Sequence, residues 1–176
     1  MRIFELLDRE SKARDLRLLI IGGYALNAHG YSRFTSDVDF IIPKEDRGRW
    51  LKVLAEIGYQ VQYDGGNFLQ LSTQDTSLCK VDLMLVNERS FVGMFETAQT
   101  TELGGKNFQV PSLDHLIALK LHVLKQGLSH RVIKDFTDVT TLLEINGIEA
   151  RSDRFRLLCE KYGSKEIYEK ILLFQS

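Results

Sequence analysis

Two aspartates, Asp37 and Asp39, stand two residues apart in the apolar stretch FTSDVDFII, which runs from Phe34 to Ile42. Strand side chains alternate between faces, so both carboxylates point the same way as Ile41, and Val38, Phe40 and Ile42 take the other face. A second apolar stretch, KVDLMLV at 80–86, places Asp82 on one face with Lys80, Met84 and Val86. If the two strands are neighbours, three carboxylates converge, and they repel one another unless positive charge sits among them. Hard oxygen ligands suit Mg²⁺ or Mn²⁺, which are often held by one or two carboxylates together with substrate phosphates. Such ions can clamp the attacking and leaving oxygens of a phosphoryl-type displacement. The plainer account is an exposed edge strand, with Asp82 paired to Lys80 or an arginine.

Upstream of the aspartates, Gly22-Gly23 separates an apolar run, LRLLII at 16–21, from a short helix that Gly30 can terminate. Two glycines let the chain turn tightly and let an anion approach backbone N–H groups, and a following helix adds a favourable field. A phosphate held there could reach metal held by Asp37 and Asp39. A simple strand-to-helix turn would also use two glycines.

The elements that must position these residues follow from periodicity. Residues 2–15 read as an amphipathic helix and 44–57 as a helix closed by Gly58. Residues 59–63 and 67–73 flank DGG as a hairpin. A short helix near 88–96 and a second hairpin near 97–110 follow the strand 80–86. After Pro111 the chain is helical in character, over about 112–126, 131–144, 151–162 and 164–173, with Ser112 able to cap the first. The expectation is an α+β fold, a mixed sheet flanked by helices over 1–111, with a helical portion over 112–176 packed on it.

In the helix 112–126, Leu113, Leu116, Ile117, Lys120 and Leu124 form one stripe, so Lys120 must snorkel out, pair, or face a pocket where it reaches phosphates. In 131–144, Arg131, Lys134, Asp135 and Asp138 share one face, opposite an expected core stripe of Val132, Phe136, Val139 and Leu143. Surface pairs Arg131–Asp135 and Lys134–Asp138 would contribute only about 0.2–0.5 kcal/mol each, which is little reason for the grouping.

Composition is that of a globular protein. The 176 residues are 44% hydrophobic and 27% charged, and the formal net charge of −1 gives no sign of a broad basic surface for nucleic acid. No apolar run approaches a membrane span, and the charged opening MRIFELLDRESKARD does not read as a leader. Cys79 and Cys159 form no CxxC motif, and His29, His115, His122 and His130 have no metal-ligand spacing. The expectation is a cytoplasmic protein with reduced thiols and no membrane association.

The stretch IGGYALNAHGYSRFTSDVDFII resembles the first motif of the DNA polymerase β-type nucleotidyltransferase superfamily: strand, GG, short helix, R-x-T-x-D-x-D, strand. KVD at 80–82 resembles the second motif, LIALKLHVL the third and RVIKDFTDV the fourth, all in order over residues 17–140. The pattern is most similar to abortive-infection and type IV toxin–antitoxin nucleotidyltransferases, from which it departs at Val123 and Gly127, where a small residue and an arginine are usual. The resemblance implies transfer of a nucleoside monophosphate from an NTP such as ATP to tRNA, a protein side chain or a small molecule, in a toxin–antitoxin or phage-defence setting with a cognate antitoxin. It implies that Gly22 and Gly23 hold the triphosphate, that Asp37 and Asp39 ligate Mg²⁺, and that Asp82 completes the metal site and activates the acceptor. Thr35, Lys80, Lys120, Arg131, Lys134, Asp135 and Asp138 would then line the nucleotide site. Arg33 balances the carboxylates, touches substrate or forms a structural ion pair. The competing reading is a catalytically silent nucleotide-binding or interaction protein of the same fold.

Overall fold

The computed structural model describes residues 2–127 and 129–174, without the side chains of 129 and 130. The chain forms two compact units, one of residues 1–25 and 34–112, the other of 26–33 and 113–176.

In the first unit, helix α1 (Arg2–Arg14) leads to a strand β1 of only two residues (Leu19–Ile20), shorter than the apolar run 16–21 suggested. Helix α2 (Gly22–Ala28) starts at the first glycine. Strand β2 (Val38–Pro43) is followed by a 3₁₀ turn (Lys44–Asp46) and α3 (Arg47–Glu56). The hairpin β3 (Tyr59–Asp64) and β4 (Phe68–Thr73) precedes β5 (Val81–Val86) and α4 (Glu88–Glu96). A separate hairpin, β6 (Gln99–Leu103) and β7 (Lys106–Val110), closes the unit. The main sheet runs β1-β2-β5-β4-β3, with β2 and β5 parallel and the other neighbours antiparallel. The architecture is the expected mixed α+β arrangement.

Alternation decides which face of the sheet is covered. Val38, Phe40 and Ile42 on β2, with their partners Val81, Leu83 and Leu85 on β5, are buried. Trp50 of α3 meets Phe40 edge-on, with ring centroids 5.3 Å apart, and its indole N–H donates to the Arg17 carbonyl at 3.2 Å. The aspartates therefore occupy the face opposite Phe40, the partner of Trp50. α1 is fixed through Phe4, which contacts Tyr24 at 5.0 Å and Phe108 of β7 at 5.4 Å between ring centroids. Asn87 caps α4 by accepting a hydrogen bond from the Ser90 N–H at 2.8 Å.

The second unit contains α5 (Leu113–Gln126), α6 (Ser129–Ile145), α7 (Asp153–Tyr162) and α8 (Lys165–Phe174). Leu116, Ile117, Lys120 and Leu124 of the α5 stripe are all buried. The segment 26–33 is tied to α6 and to the residue that follows it. The Asn146 side chain donates to the His29 carbonyl at 3.2 Å, and Arg33 Nη1 donates to Asp138 Oδ1 at 2.5 Å. Phe155 of α7 faces Tyr168 of α8 with centroids 6.1 Å apart.

One helix is oriented otherwise than its pattern suggests. On α6 the face carrying Asp135 and Asp138 is buried, while Ile133 is 82% exposed and Val132, assigned above to the core stripe, lies at the surface. Phe136 is half-buried and touches Phe174, and Val139 and Leu143 remain in the core. The acids turn inward because a buried lysine on α5 supplies their counter-charge.

Candidate active site

Parallel pairing of β2 with β5 sets Asp39 directly opposite Asp82. Neighbouring strands lie about 4.8 Å apart, so two carboxylates on one face at matching positions are held close by the backbone itself. Like charges placed directly opposite destabilise a sheet. Asp37 immediately precedes β2 and accepts a hydrogen bond from the Ser36 hydroxyl at 3.1 Å, while its carbonyl accepts one from the Thr35 hydroxyl at 3.2 Å. Among the described residues Asp37 makes no ion pair. The Val38 N–H donates to the Lys80 carbonyl at 3.0 Å, which brings exposed Lys80 to the mouth of the same strand pair.

The glycine turn is pressed against this strand. Gly22 has φ +62°, the left-handed region, and a Cβ there would lie 1.9 Å from Asp39 Oδ2. A Cβ on Gly23 would lie 2.5 Å from the Thr35 side chain. The Ile21 N–H donates to the Asp39 carbonyl at 2.9 Å, so β1 delivers the turn to the carboxylate. Gly22, Gly23, Thr35, Asp37, Asp39, Lys80 and Asp82 thus all belong to the first unit.

The negative field of the aspartates reaches two groups that sequence reading left unassigned. Burial pushes the Cys79 thiol up, and Asp37 and Asp39 add to it. Burial likewise raises the Tyr24 phenol, with Cys79 and Asp37 reinforcing the shift. A third neighbour, Gln70 of β4, sits opposite Asp82, and its amide donates to the two carboxylate oxygens at 3.4 and 3.5 Å. Only the strand register reveals Gln70, since nothing in its local sequence marks it.

The remaining expected site residues gather in the second unit around Lys120. Its ammonium lies 2.5 Å from Asp135 Oδ1 and 2.7 Å from Asp138 Oδ2, with side-chain exposures of 8%, 0% and 2% in that order. Arg33 engages Asp138, and Arg131 Nε lies 3.4 Å from Asp135 Oδ2. Of the surface pairs considered for this helix, Arg131–Asp135 is present; Lys134 is exposed and makes no ion pair among the described residues. Three cations therefore surround two buried carboxylates, and each charge is engaged within the unit.

The donor set can be tested against a divalent cation. Among the described residues, no three His, Cys, Asp or Glu side chains form a preassembled metal cage. Mg²⁺ retains water and usually takes one or two carboxylates plus substrate phosphates, so a full protein cage is not what it requires. Asp37, Asp39 and Asp82 supply hard oxygen donors, beside a turn whose side-chain space is already filled by Asp39 and Thr35. That set fits Mg²⁺ or Mn²⁺ bound together with a nucleotide. Among the described residues, His29, His115 and His122 belong to no cluster of three or more such groups; the side chain of His130 lies outside the described residues.

A family model described as uncharacterised nucleotidyltransferase matches residues 2–175. No curated protein matches the chain. Among solved structures, the antibiotic-resistance factor ANT(2″)-Ia aligns with 99% of this chain and 90% of its own, at 16% identity and a TM-score of 0.58. The lincosamide antibiotic adenylyltransferase LnuA, lincomycin-bound, covers 80% of this chain and 95% of its own, at 13% identity and a TM-score of 0.55. A putative nucleotidyltransferase from Thermotoga maritima covers 78% and 92%, at 15% identity and a TM-score of 0.56. At these identities the likeness is one of fold. No helix among the described residues is long and apolar enough to cross a membrane.

Proposed function

The chain belongs to the uncharacterised nucleotidyltransferase family, and from that premise we propose that it transfers a nucleoside monophosphate from an NTP to an acceptor hydroxyl at the Asp37, Asp39 and Asp82 site. The observation that carries this reading is the registry of Asp39 with Asp82 across β2 and β5, with the Gly22 backbone against the Asp39 carboxylate. A like-charged pair built into the sheet is a standing cost that a cation and a nucleotide relieve.

In this reading Gly22 and Gly23 present backbone to the triphosphate at close range, because any side chain at either position would strike Asp39 or Thr35. Asp37, Asp39 and Asp82 hold Mg²⁺ or Mn²⁺, which when bound neutralises charge building on the phosphate oxygens. Asp82 accepts the proton of the acceptor hydroxyl. The acceptor oxygen bonds to the α-phosphorus as the bond from that phosphorus to the bridging oxygen breaks, and pyrophosphate leaves. Lys80 lies where it can meet a phosphate or temper Asp82. Lys120, Asp135, Asp138 and Arg131 hold α5 to α6, and Arg33 pins the segment that leads to Thr35. Lys134 of the expected α6 set is exposed and makes no ion pair among the described residues, which leaves its ammonium available to a ligand.

The test is calorimetric titration with ATP, GTP, CTP and UTP, each with and without Mg²⁺, on wild type and Asp39→Asn. Metal-dependent binding of at least one NTP by wild type, lost in Asp39→Asn, supports the proposal. Metal-independent binding, or none, overturns it. The toxin setting has its own test: expression in a bacterial host should arrest growth with wild type and not with Asp39→Asn.

A further inference from the structure

Strand order places the two sides of the proposed reaction on opposite sides of the aspartates. Gly22-Gly23 follows β1, on one flank of β2, whereas β5, β4 and β3 extend from the other flank. In phosphoryl-type transfer the attacking and leaving oxygens lie roughly in line through phosphorus. With the triphosphate tail at the glycine turn, pyrophosphate departs toward β1, and the acceptor must enter from over β5 and β4.

The face of the sheet on that side carries a row of residues paired across the strands, and on β3 a register shift between Val61 and Tyr63 leaves Gln62 as an extra residue beside Tyr63. Asp39 pairs with Asp82, Asp82 with Gln70, and Gln70 with Tyr63. Directly paired residues share a face, and strands lie about 4.8 Å apart, so Tyr63 stands about 10 Å from Asp82 along the row. Gln70 is exposed, and its amide makes only the two long hydrogen bonds to Asp82 among the described residues. Tyr63 is 55% exposed on the edge strand, and a Cβ on Gly65 would lie 2.9 Å from its ring, so the hairpin glycine leaves room for the ring to lie over the turn. The Tyr63 hydroxyl has no hydrogen-bond partner among the described residues.

We infer that Gln70 and Tyr63 form the acceptor subsite, and that the acceptor presents its reacting hydroxyl on a sugar ring. This rests on the proposed nucleotidyl transfer. Beyond Asp82 the row is uncharged: an amide that can donate and accept, then an exposed aromatic face. Amides read neighbouring hydroxyls, and aromatic faces take up the apolar face of a ring while leaving its polar rim solvated. An acceptor recognised mainly through phosphates would call for cations beyond Asp82, where the row offers Gln70 and Tyr63 instead and Lys80 stands just before the Asp82 strand itself. The sugar can be that of a free glycoside or the terminal ribose of an RNA.

The experiment incubates the full chain with Mg²⁺, the α-³²P-labelled NTP selected by titration, and in separate arms a bacterial small-molecule extract, purified total RNA and the dialysed protein fraction. Wild type, Gln70→Ala, Tyr63→Ala and Tyr63→Phe are compared, with NTP binding measured on each. The expected result is labelling in the small-molecule or the RNA arm, which identifies the source of the sugar. Labelling should drop about tenfold or more in Gln70→Ala and Tyr63→Ala, persist in Tyr63→Phe, and leave NTP affinity within about twofold throughout. Undiminished labelling in the alanine variants, a parallel loss of NTP affinity, labelling confined to protein, or NTP binding without labelling in any arm each overturns the inference. Absence of NTP binding by wild type instead refutes the nucleotidyltransfer reading on which it rests.

Discussion

Replacing Lys120 with methionine separates a structural from a substrate role for this residue. Methionine keeps the length and apolar stem of lysine and removes the charge. In the protein that charge lies 2.5 and 2.7 Å from two carboxylates almost completely removed from water. Deleting one partner of a buried pair typically costs about 3–5 kcal/mol, because the remaining charge stays desolvated. Arg33 and Arg131 still face the same acids, with side chains 21% and 34% exposed, so the lower end of that range applies, about 3 kcal/mol. For a chain of this size that corresponds to a fall in Tm of roughly 6–12 °C. Thermal unfolding by circular dichroism at neutral pH reads the loss, and hydrogen exchange should locate the lost protection in α5 and α6. Combining Lys120→Met with Asp135→Asn and Asp138→Asn should recover at least half of it, since neutral groups tolerate burial better than an uncompensated charge. A loss below about 1 kcal/mol, or a triple variant no better than the single one, refutes the reasoning, given the magnitudes expected for buried pairs. So does an unchanged Tm with NTP affinity lowered more than about tenfold, which would place Lys120 on the phosphates.

Asp82→Asn should lower transfer by about 10²–10⁴-fold, the range for removing a general base. In metal-free buffer the same change should raise stability by about 0.2–1 kcal/mol by relieving the cross-strand pair with Asp39; denaturant titration of the apo protein checks it. Gly22→Ala combines a left-handed φ with a collision against Asp39 Oδ2. It should cost at least about 1–2 kcal/mol of stability from backbone strain alone and abolish metal-dependent NTP binding, read by melting curves and calorimetry. Cys159 is buried, which pushes its thiol up from 9.0 to about 12. The unfolded chain loses that proton first as pH rises, so the contribution of Cys159 is constant below about pH 9 and turns destabilising between 9 and about 12. Cys159→Ala should flatten the alkaline limb of a stability–pH curve; a limb as steep as wild type would show that other groups control it.

Much of this protein is written in local pattern. Period-2 alternation marks β2, β4 and β5, Asp64-Gly65-Gly66 turns the hairpin between β3 and β4, and period-3.6 stripes mark the late helices. The glycine pair, both aspartates of β2 and Asp82 stand out because charge and glycine interrupt apolar runs, and motif order joins them into one family. Pattern could not say which face of α6 turns inward. Helical period groups Asp135 with Asp138 but assigns the inside by hydrophobicity, which favours Val132 over two acids. The choice went the other way because Lys120, 15 residues upstream of Asp135, offers a buried counter-charge that only packing brings into range. Strand register was equally out of reach. Asp39 and Asp82 lie in separate segments of sequence, and their alignment depends on how β2 and β5 pair, as does the row that adds Gln70 and Tyr63. Residue type determined that acids and glycines were present on strands and turns. Tertiary pairing decided which of them stand opposite one another, because electrostatic interaction depends on distances between segments that the chain connects but does not by itself fix.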